Sequence, residues 1–403
     1  MTNSEFFIYC SQFVFLVFGF VYLEKKYKFL PIGLVPAFIL LITSIFIAGL
    51  SAKLAELDSR KYMKDAILLM SFLDKDPSLY GLFFLTGGNG LYPQYYFPML
   101  IASNTWSNYT SFTIEKFYLF FSLISKPNLF NVSLFFGVLS FISKSLILKT
   151  LHNIDPDARK IKILYAFLLV GGMDVFFVSG VYKENLLLLF LCVMLYIIYS
   201  TPKWWKYLLA LLCLFNAIFI RLDTVILLLI VLLIVNLYYR FEVSKWRNKI
   251  LLIVFPLLPI ILLFNSPYRV YVLDKLNRYG RLKAGNTHFD FIDWNSEAIL
   301  LIGQIIKRWL VAFYSIHTTS LFLLILNFVS ASTLVFIIYL LYHQSKVWNK
   351  ITVYFTIAFF SFMFIVSLLV HNYAAILRYR SPLLILLVFG LILNLRKKSL
   401  KKT

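Results

Sequence analysis

The run Arg378-Tyr379-Arg380-Ser381-Pro382 sets two guanidinium groups two residues apart, immediately before a proline. Proline disfavours helix at the residue before it and suits the first turn of a helix that follows. The spacing therefore predicts an extended 378–380, with Ser381 as the N-cap of a helix over 381–396. Extended residues at this spacing project to one side, here beside the positive end of a helix dipole. That is the chemistry of a diphosphate site. The plainer alternative is a pair of arginines snorkelling to lipid headgroups.

A second constellation is Ser179-Gly180-Val181-Tyr182-Lys183-Glu184, which interrupts an otherwise apolar hairpin. Gly180 is expected to end one helix and the charged pair to begin the next. Neighbours on a helix point about 100° apart, so Lys183 and Glu184 must face different partners. One of them is expected to pair with Arg221 or Asp223, and a structural ion pair stands beside a substrate role. Asp223 followed by Thr224 reads first as a helix N-cap.

Asp58 lies in Glu56-Leu57-Asp58-Ser59-Arg60-Lys61-Tyr62. A carboxylate at a membrane surface could act as general base on a sugar hydroxyl. The bland alternative is a solvated helix face with pairs Glu56 to Arg60 and Lys61 to Asp65. His371 is the reserve base.

Other chemistries have weaker signals. The five histidines form no metal-binding pattern. No cofactor is implied, although a divalent cation held by Asp58 with Asp174 or Asp223 stays open as an alternative. Thr86-Gly87-Gly88-Asn89-Gly90 lacks the spacing and the Lys-Ser/Thr ending of a phosphate-binding loop. Tyr92, Tyr95, Tyr96 and Phe97 behind it could stack on sugar rings or form an interfacial aromatic cluster. Cys10, Cys192 and Cys213 all fall in apolar runs, which argues against a disulfide framework.

The elements that must position these residues are membrane spans. Of 403 residues, 61% are hydrophobic and 14% charged, against roughly a quarter charged in soluble domains. The formal charge of +21 sits in short blocks between apolar stretches, which excludes a nucleic-acid partner as its explanation. These blocks are 24–28, 149–162, 203–206, 240–249, 346–350 and 396–402, with about twenty Lys and Arg against about four acids. The positive-inside rule places them all in the cytoplasm.

The chain then reads as an all-α polytopic integral membrane protein, a single membrane domain over 1–403 with about eleven transmembrane helices. The expected spans are 6–23, 29–50, 129–149, 163–180, 185–200, 207–220, 225–240, 250–265, 318–342, 351–370 and 381–396. The first lacks a basic lead and a small-residue cleavage site, so it is expected to stay as a span. The N-terminus is then external and the C-terminus cytoplasmic. Two long external loops, 51–128 and 266–317, contain amphipathic stretches at 53–72 and 298–313. They are expected to roof a cavity whose charged residues lie on the non-cytoplasmic side, where ionisable groups are default functional candidates.

The order of motifs resembles Wzy-type and EpsG-like bacterial polysaccharide polymerases, within the broader GT-C-like membrane glycosyltransferases. The likeness lies in two spans followed by Asp58-x-x-x-Tyr62, then Ser179-Gly180-x-x-Lys183-Glu184, Arg221 between spans, and Arg378-x-Arg380-x-Pro382. It implies a plasma-membrane enzyme that takes polyprenyl-phosphate or polyprenyl-diphosphate sugars at the outer face to build a cell-surface polysaccharide. The implied roles are Asp58 as base and Arg378 with Arg380 as phosphate ligands. Arg221 and Lys183 would help stabilise the leaving group, with Glu184, Asp223 and Tyr62 in support. Membrane lipids and polysaccharide export machinery are the implied partners. GT-C enzymes usually place the acid after the first span, and Asp58 after the second favours the polymerase-like branch. Alternatives are an O-antigen ligase-like transferase, a transporter or flippase of lipid-linked oligosaccharide, and a noncatalytic scaffold of an envelope complex.

Overall fold

The computed structural model describes residues 3–54, 57–73, 78, 109–125, 128–201, 203–240, 298–314, 321–344, 348–369 and 373–395. The expected span 250–265, the Gly-rich stretch 86–90 with the tyrosines after it, and His371 lie outside the described residues. Asp58 falls on a described helix, but its side chain is outside them too.

Every regular element among the described residues is a helix. In order they are α1 (Asn3–Tyr27), α2 (Leu34–Lys53), α3 (Leu57–Leu73), α4 (Tyr109–Ser125), α5 (Leu129–Ile154), α6 (Ala158–Val170) and α7 (Gly172–Ser179). There follow α8 (Lys183–Ile198), α9 (Trp204–Ile220), α10 (Leu222–Arg240), α11 (Ala298–Tyr314), α12 (Leu321–Gln344), α13 (Lys350–Leu369) and α14 (Tyr373–Ile392). Six of them, α1, α2, α5, α12, α13 and α14, are long and apolar enough to cross a membrane. The amphipathic stretches expected at 53–72 and 298–313 form α3 and α11.

Two expectations are corrected. The stretch expected as one straight span over 163–180 is broken into α6 and α7, with a 78° bend between them. Gly171 and Gly172 make the bend: Gly172 has φ +66°, and an added Cβ would lie 2.6 Å from the Leu326 carbonyl oxygen of α12. An L side chain tolerates neither that conformation nor that contact. The second correction is at 378–382, where α14 runs straight through with Pro382 inside it. Proline leaves the Arg378 carbonyl without its helical donor, while the Ser381 hydroxyl donates to the Leu377 carbonyl at 2.6 Å.

The chain divides into two compact units, one of residues 1–165 and 176–225, the other of 166–175 and 226–403. In the first, α5 packs on α2 and α8, α8 on α9, and α3 on α4. Asn128 starts α5 by accepting a hydrogen bond from the Phe130 amide at 2.8 Å. The α2–α5 contact is a small-residue crossing of the kind that lets backbones approach in membranes. A Cβ on Gly137 would come within 2.6 Å of the Ile45 Cα.

In the second unit α13 packs along α14, and α11 rests on α13. Asn349 accepts from the Thr352 amide at 2.8 Å, and the Thr352 hydroxyl donates to the Gly390 carbonyl at 2.6 Å. That ties the start of α13 to the end of α14.

Gly137→Leu should force α2 off α5 and cost about 1–3 kcal/mol, as over-packing usually does. Gly303→Ala, where an added Cβ meets nothing within 4 Å, should leave stability unchanged or raise it by about 0.5–1 kcal/mol. Thermal unfolding of the purified protein in mild detergent compares the two.

Candidate functional site

The first unit gathers four distant segments on the turn between α7 and α8. At that turn the chain leaves helical geometry, so the Val181 peptide has no helical partners of its own. Its N–H donates to the Ser51 hydroxyl at the end of α2 at 3.0 Å. Its carbonyl accepts from the Tyr118 hydroxyl of α4 at 2.7 Å and from the Ser59 hydroxyl of α3 at 3.1 Å. The Asn185 side-chain amide donates to the Gly180 carbonyl at 3.0 Å and to the Phe136 carbonyl at 2.9 Å. Ser140 donates to Ser179 at 3.0 Å. Gly180 is needed for space and not for φ, since an added Cβ would stand 2.7 Å from the Ser51 Oγ and 2.8 Å from the Tyr182 ring.

The charges of the turn find partners in the same unit. The Glu184 Oε1 lies 3.0 Å from an Arg221 Nη, with Glu184 fully buried. Of the two expected partners of the Lys183-Glu184 pair, Glu184 takes Arg221. Arg221 itself is the single residue between α9 and α10, with φ −152°, and its other Nη is 4.0 Å from Asp223. Asp223 lies inside the first turn of α10, which begins at Leu222, so it is not the N-cap. The Lys183 ammonium stands 5.6 Å from the centre of the Tyr62 ring, a cation–π distance. Tyr62 in turn packs edge-on to Tyr118, centroids 6.1 Å apart.

The α3 face carrying Tyr62 is not a solvated one. Tyr62, Met63, Asp65 and Ala66 are buried, while Lys61 is exposed. Glu115 on α4 is also buried, and burial lowers the ammonium pKa of its neighbour Lys116. Carboxylates, cations and phenol rings from α3, α4, α8 and α9 thus share one end of this unit.

The second unit holds a separate buried network. Arg380 of α14 donates through Nε to one oxygen of Asp174 at 3.1 Å and through an Nη to the other at 3.3 Å. The same Nη donates to the Ser330 hydroxyl of α12 at 2.9 Å, and Ser330 donates onward to Asp174. The Ser381 hydroxyl lies 3.1 Å from the other Asp174 oxygen. All four residues are fully buried. A bidentate guanidinium–carboxylate pair with its remaining oxygens satisfied is the form in which such a pair persists away from water.

This geometry replaces the expected two-arginine clamp. On a helix a spacing of two turns the side chains roughly 200° apart, so Arg378 and Arg380 take different faces. Arg378 stacks near the Tyr379 ring, 5.2 Å from its centroid. Arg308 on α11 is a further buried arginine in this unit, and burial pulls its pKa down to about 10.

Asp174 is the residue that sequence reasoning passed over, having weighed it only as a metal ligand. Its signal was an acid inside an apolar run. Lys144 of α5 carried the same signal: it is buried, and its ammonium donates to the Ser44 hydroxyl at 3.0 Å. No cluster of three or more metal-ligating side chains occurs among the described residues. The three cysteines are unbridged, as expected.

No protein-family model, curated protein or solved structure matches the chain.

Removing one partner of a buried ion pair leaves the other uncompensated. Arg380→Ala and Asp174→Ala should each cost about 3–5 kcal/mol, while the double replacement Asp174→Leu/Arg380→Met should recover most of the loss. Unfolding in detergent around this cycle measures the coupling.

Proposed function

We propose that the chain is a membrane glycosyltransferase of polysaccharide-polymerase type, acting on polyprenyl-phosphate or polyprenyl-diphosphate sugars at the outer face of a bacterial plasma membrane. The observation that carries this reading is the convergence in the first unit. Tyr62, Lys183, Glu184 and Arg221 belong to three of the four motifs on which the family resemblance rests, and they meet around one turn. Asp58 lies one helical turn before Tyr62 on α3.

Their position agrees with the charge pattern. The α2–α3, α7–α8 and α9–α10 connections share one end of the unit. The basic connections 24–28, 149–162 and 203–206 alternate with them along the chain. With about eleven spans, an external N-terminus and a cytoplasmic C-terminus, the positive-inside rule puts the shared end outside.

In the proposed mechanism Asp58 takes the proton of the acceptor hydroxyl as that oxygen attacks the anomeric carbon. The bond from that carbon to the phosphate oxygen breaks, and the phosphate leaves with its electron pair. Lys183 and Arg221 stabilise its developing charge. Arg380 of the late motif is held by Asp174 within the second unit. Tyr62 positions Lys183 by its ring face, and Glu184 fixes the direction of the Arg221 fork.

A second reading, a transporter or flippase of the same lipid-linked glycan, draws on a different observation. The break at Gly171 and Gly172, with Asp174 just after it, has the form of the discontinuous helices that carry substrate sites in secondary transporters.

Purified protein mixed with lipid-linked oligosaccharide separates the readings by mass spectrometry. A larger glycan on the lipid supports the enzyme; movement across a vesicle bilayer with no product supports transport. For the enzyme, Asp58→Asn should lower product formation about 10²–10⁴-fold, the usual size of a lost general base, with expression and unfolding temperature unchanged. Full product from that variant would sink the assignment of Asp58.

A further inference from the structure

The geometry points to a binding site for one anionic bilayer phospholipid in a slot of the first unit, a site that rests only on the chain lying in a membrane and not on the glycosyl-transfer reading. The slot has a volume of about 610 Å³ and is walled by α1, α2 and α5, with Tyr196 of α8 at one end. Its walls are almost wholly apolar; Phe15, Gly19, Phe20, Leu41 and Phe141 line its length.

Three features say what occupies it. First, the slot opens sideways. Phe15, Leu23 and Ile142 line it and are 77%, 45% and 38% exposed, so its mouth is on the apolar flank of spans and not on a water-facing end. Molecules reaching it must come from the bilayer, which excludes a soluble metabolite.

Second, one end is charged. Lys149 lines the slot beside Leu23, Phe29, Leu30 and Tyr196, its ammonium 5.8 Å from the Tyr196 ring centre. Lys25 and Lys26 lie in the last turn of α1 at that same end, and Lys28 directly follows it. The carboxylate there is Glu24, whose Oε1 accepts from the Leu30 amide at 3.3 Å. Four ammonium groups against one carboxylate favour a negative headgroup. By the positive-inside rule this end faces the cytoplasm, where the leaflet supplies anionic lipid. Third, the slot wall holds Ser145, whose hydroxyl has no hydrogen-bond partner among the described residues. A buried hydroxyl costs free energy in that state, and an ester oxygen of a lipid glycerol would accept from it.

In this arrangement one acyl chain runs against Phe15 and Gly19, the glycerol esters meet Ser145, and the phosphate lies at Lys149. Gly19 contributes the room: an added Cβ there meets nothing within 4 Å. α1 is otherwise the least enclosed span, with 6% of its apolar window buried. The lipid therefore completes the packing between α1 and the rest of its unit.

Native mass spectrometry of the full chain in mild detergent, with phosphatidylglycerol or phosphatidylcholine added at equal concentration, tests the site. One phosphatidylglycerol should be retained per chain, preferred about fivefold, the worth of one lysine near an anionic lipid. Lys149→Ala should bring the preference close to one without abolishing binding. Gly19→Phe should fill the slot and lower retention of both lipids about tenfold while the unfolding temperature of lipid-free protein stays unchanged. Equal retention of the two lipids by the unaltered chain, undiminished retention by Gly19→Phe, or preferential uptake of polyprenyl phosphate over phosphatidylglycerol would each overturn the proposal.

Discussion

Where α7 ends and α8 begins, the Val181 peptide must find a donor and an acceptor in a place that supplies no water. It finds them on Ser51, Ser59 and Tyr118, side chains of three other helices. That requirement organises the first unit. Because Ser59 and Tyr118 come from α3 and α4, the two helices flanking the first long connection are pinned to the turn and to each other. Once they are pinned, Tyr62 meets Lys183, and the short path through Val181 sets Glu184 against Arg221. The charged cluster is therefore a consequence of satisfying one backbone unit.

The second unit meets the same constraint with side chains. Gly172 lets the chain turn close against α12, and two residues later Asp174 enters apolar surroundings where a lone carboxylate would be prohibitive. Arg380 and Ser330 complete its shell. Small residues recur at each such point because close approach of helices in lipid depends on packing and hydrogen bonding more than on the hydrophobic effect.

The apolar periodicity was sufficient to read the helical class, and the amphipathic patterns at 53–72 and 298–313 emerged as α3 and α11. Such signals are local, and the structure agrees with them to within a few residues. The bend at Gly171 was invisible because a glycine pair inside an apolar run carries no periodicity change; its reason is the Leu326 carbonyl, far away in sequence. The reading of 378–380 failed because a general rule about proline was applied without the neighbours that override it. Charge at the Ser179–Glu184 turn was legible, as was a pairing of Lys183 or Glu184 with Arg221 or Asp223, of which packing selects Glu184 with Arg221. Tyr118 and Ser330 were not legible: each matters through a hydrogen bond whose partner is decided only by tertiary packing.

The pairing of arginines with acids bears on how any phosphate could bind. Arg221 faces Glu184, and Arg380 is saturated on two of its faces by Asp174 and Ser330. A guanidinium so placed offers an incoming phosphate little until the carboxylate yields, and the carboxylate yields only if it gains a partner of its own. The two pairs differ in that respect. Asp174 has no exposed surface and is held through both oxygens by Arg380, so exchange there would strand a buried anion. The Arg221 side chain is 15% exposed and has Asp223, 57% exposed, as a second carboxylate at 4.0 Å. One Nη can stay on the buried Glu184 while the other exchanges Asp223 for an incoming anion, which leaves only a solvated carboxylate behind. Among the arginines described, Arg221 thus has the electrostatic freedom that transient binding of an anion requires, while Arg380 has the fixity of a structural joint.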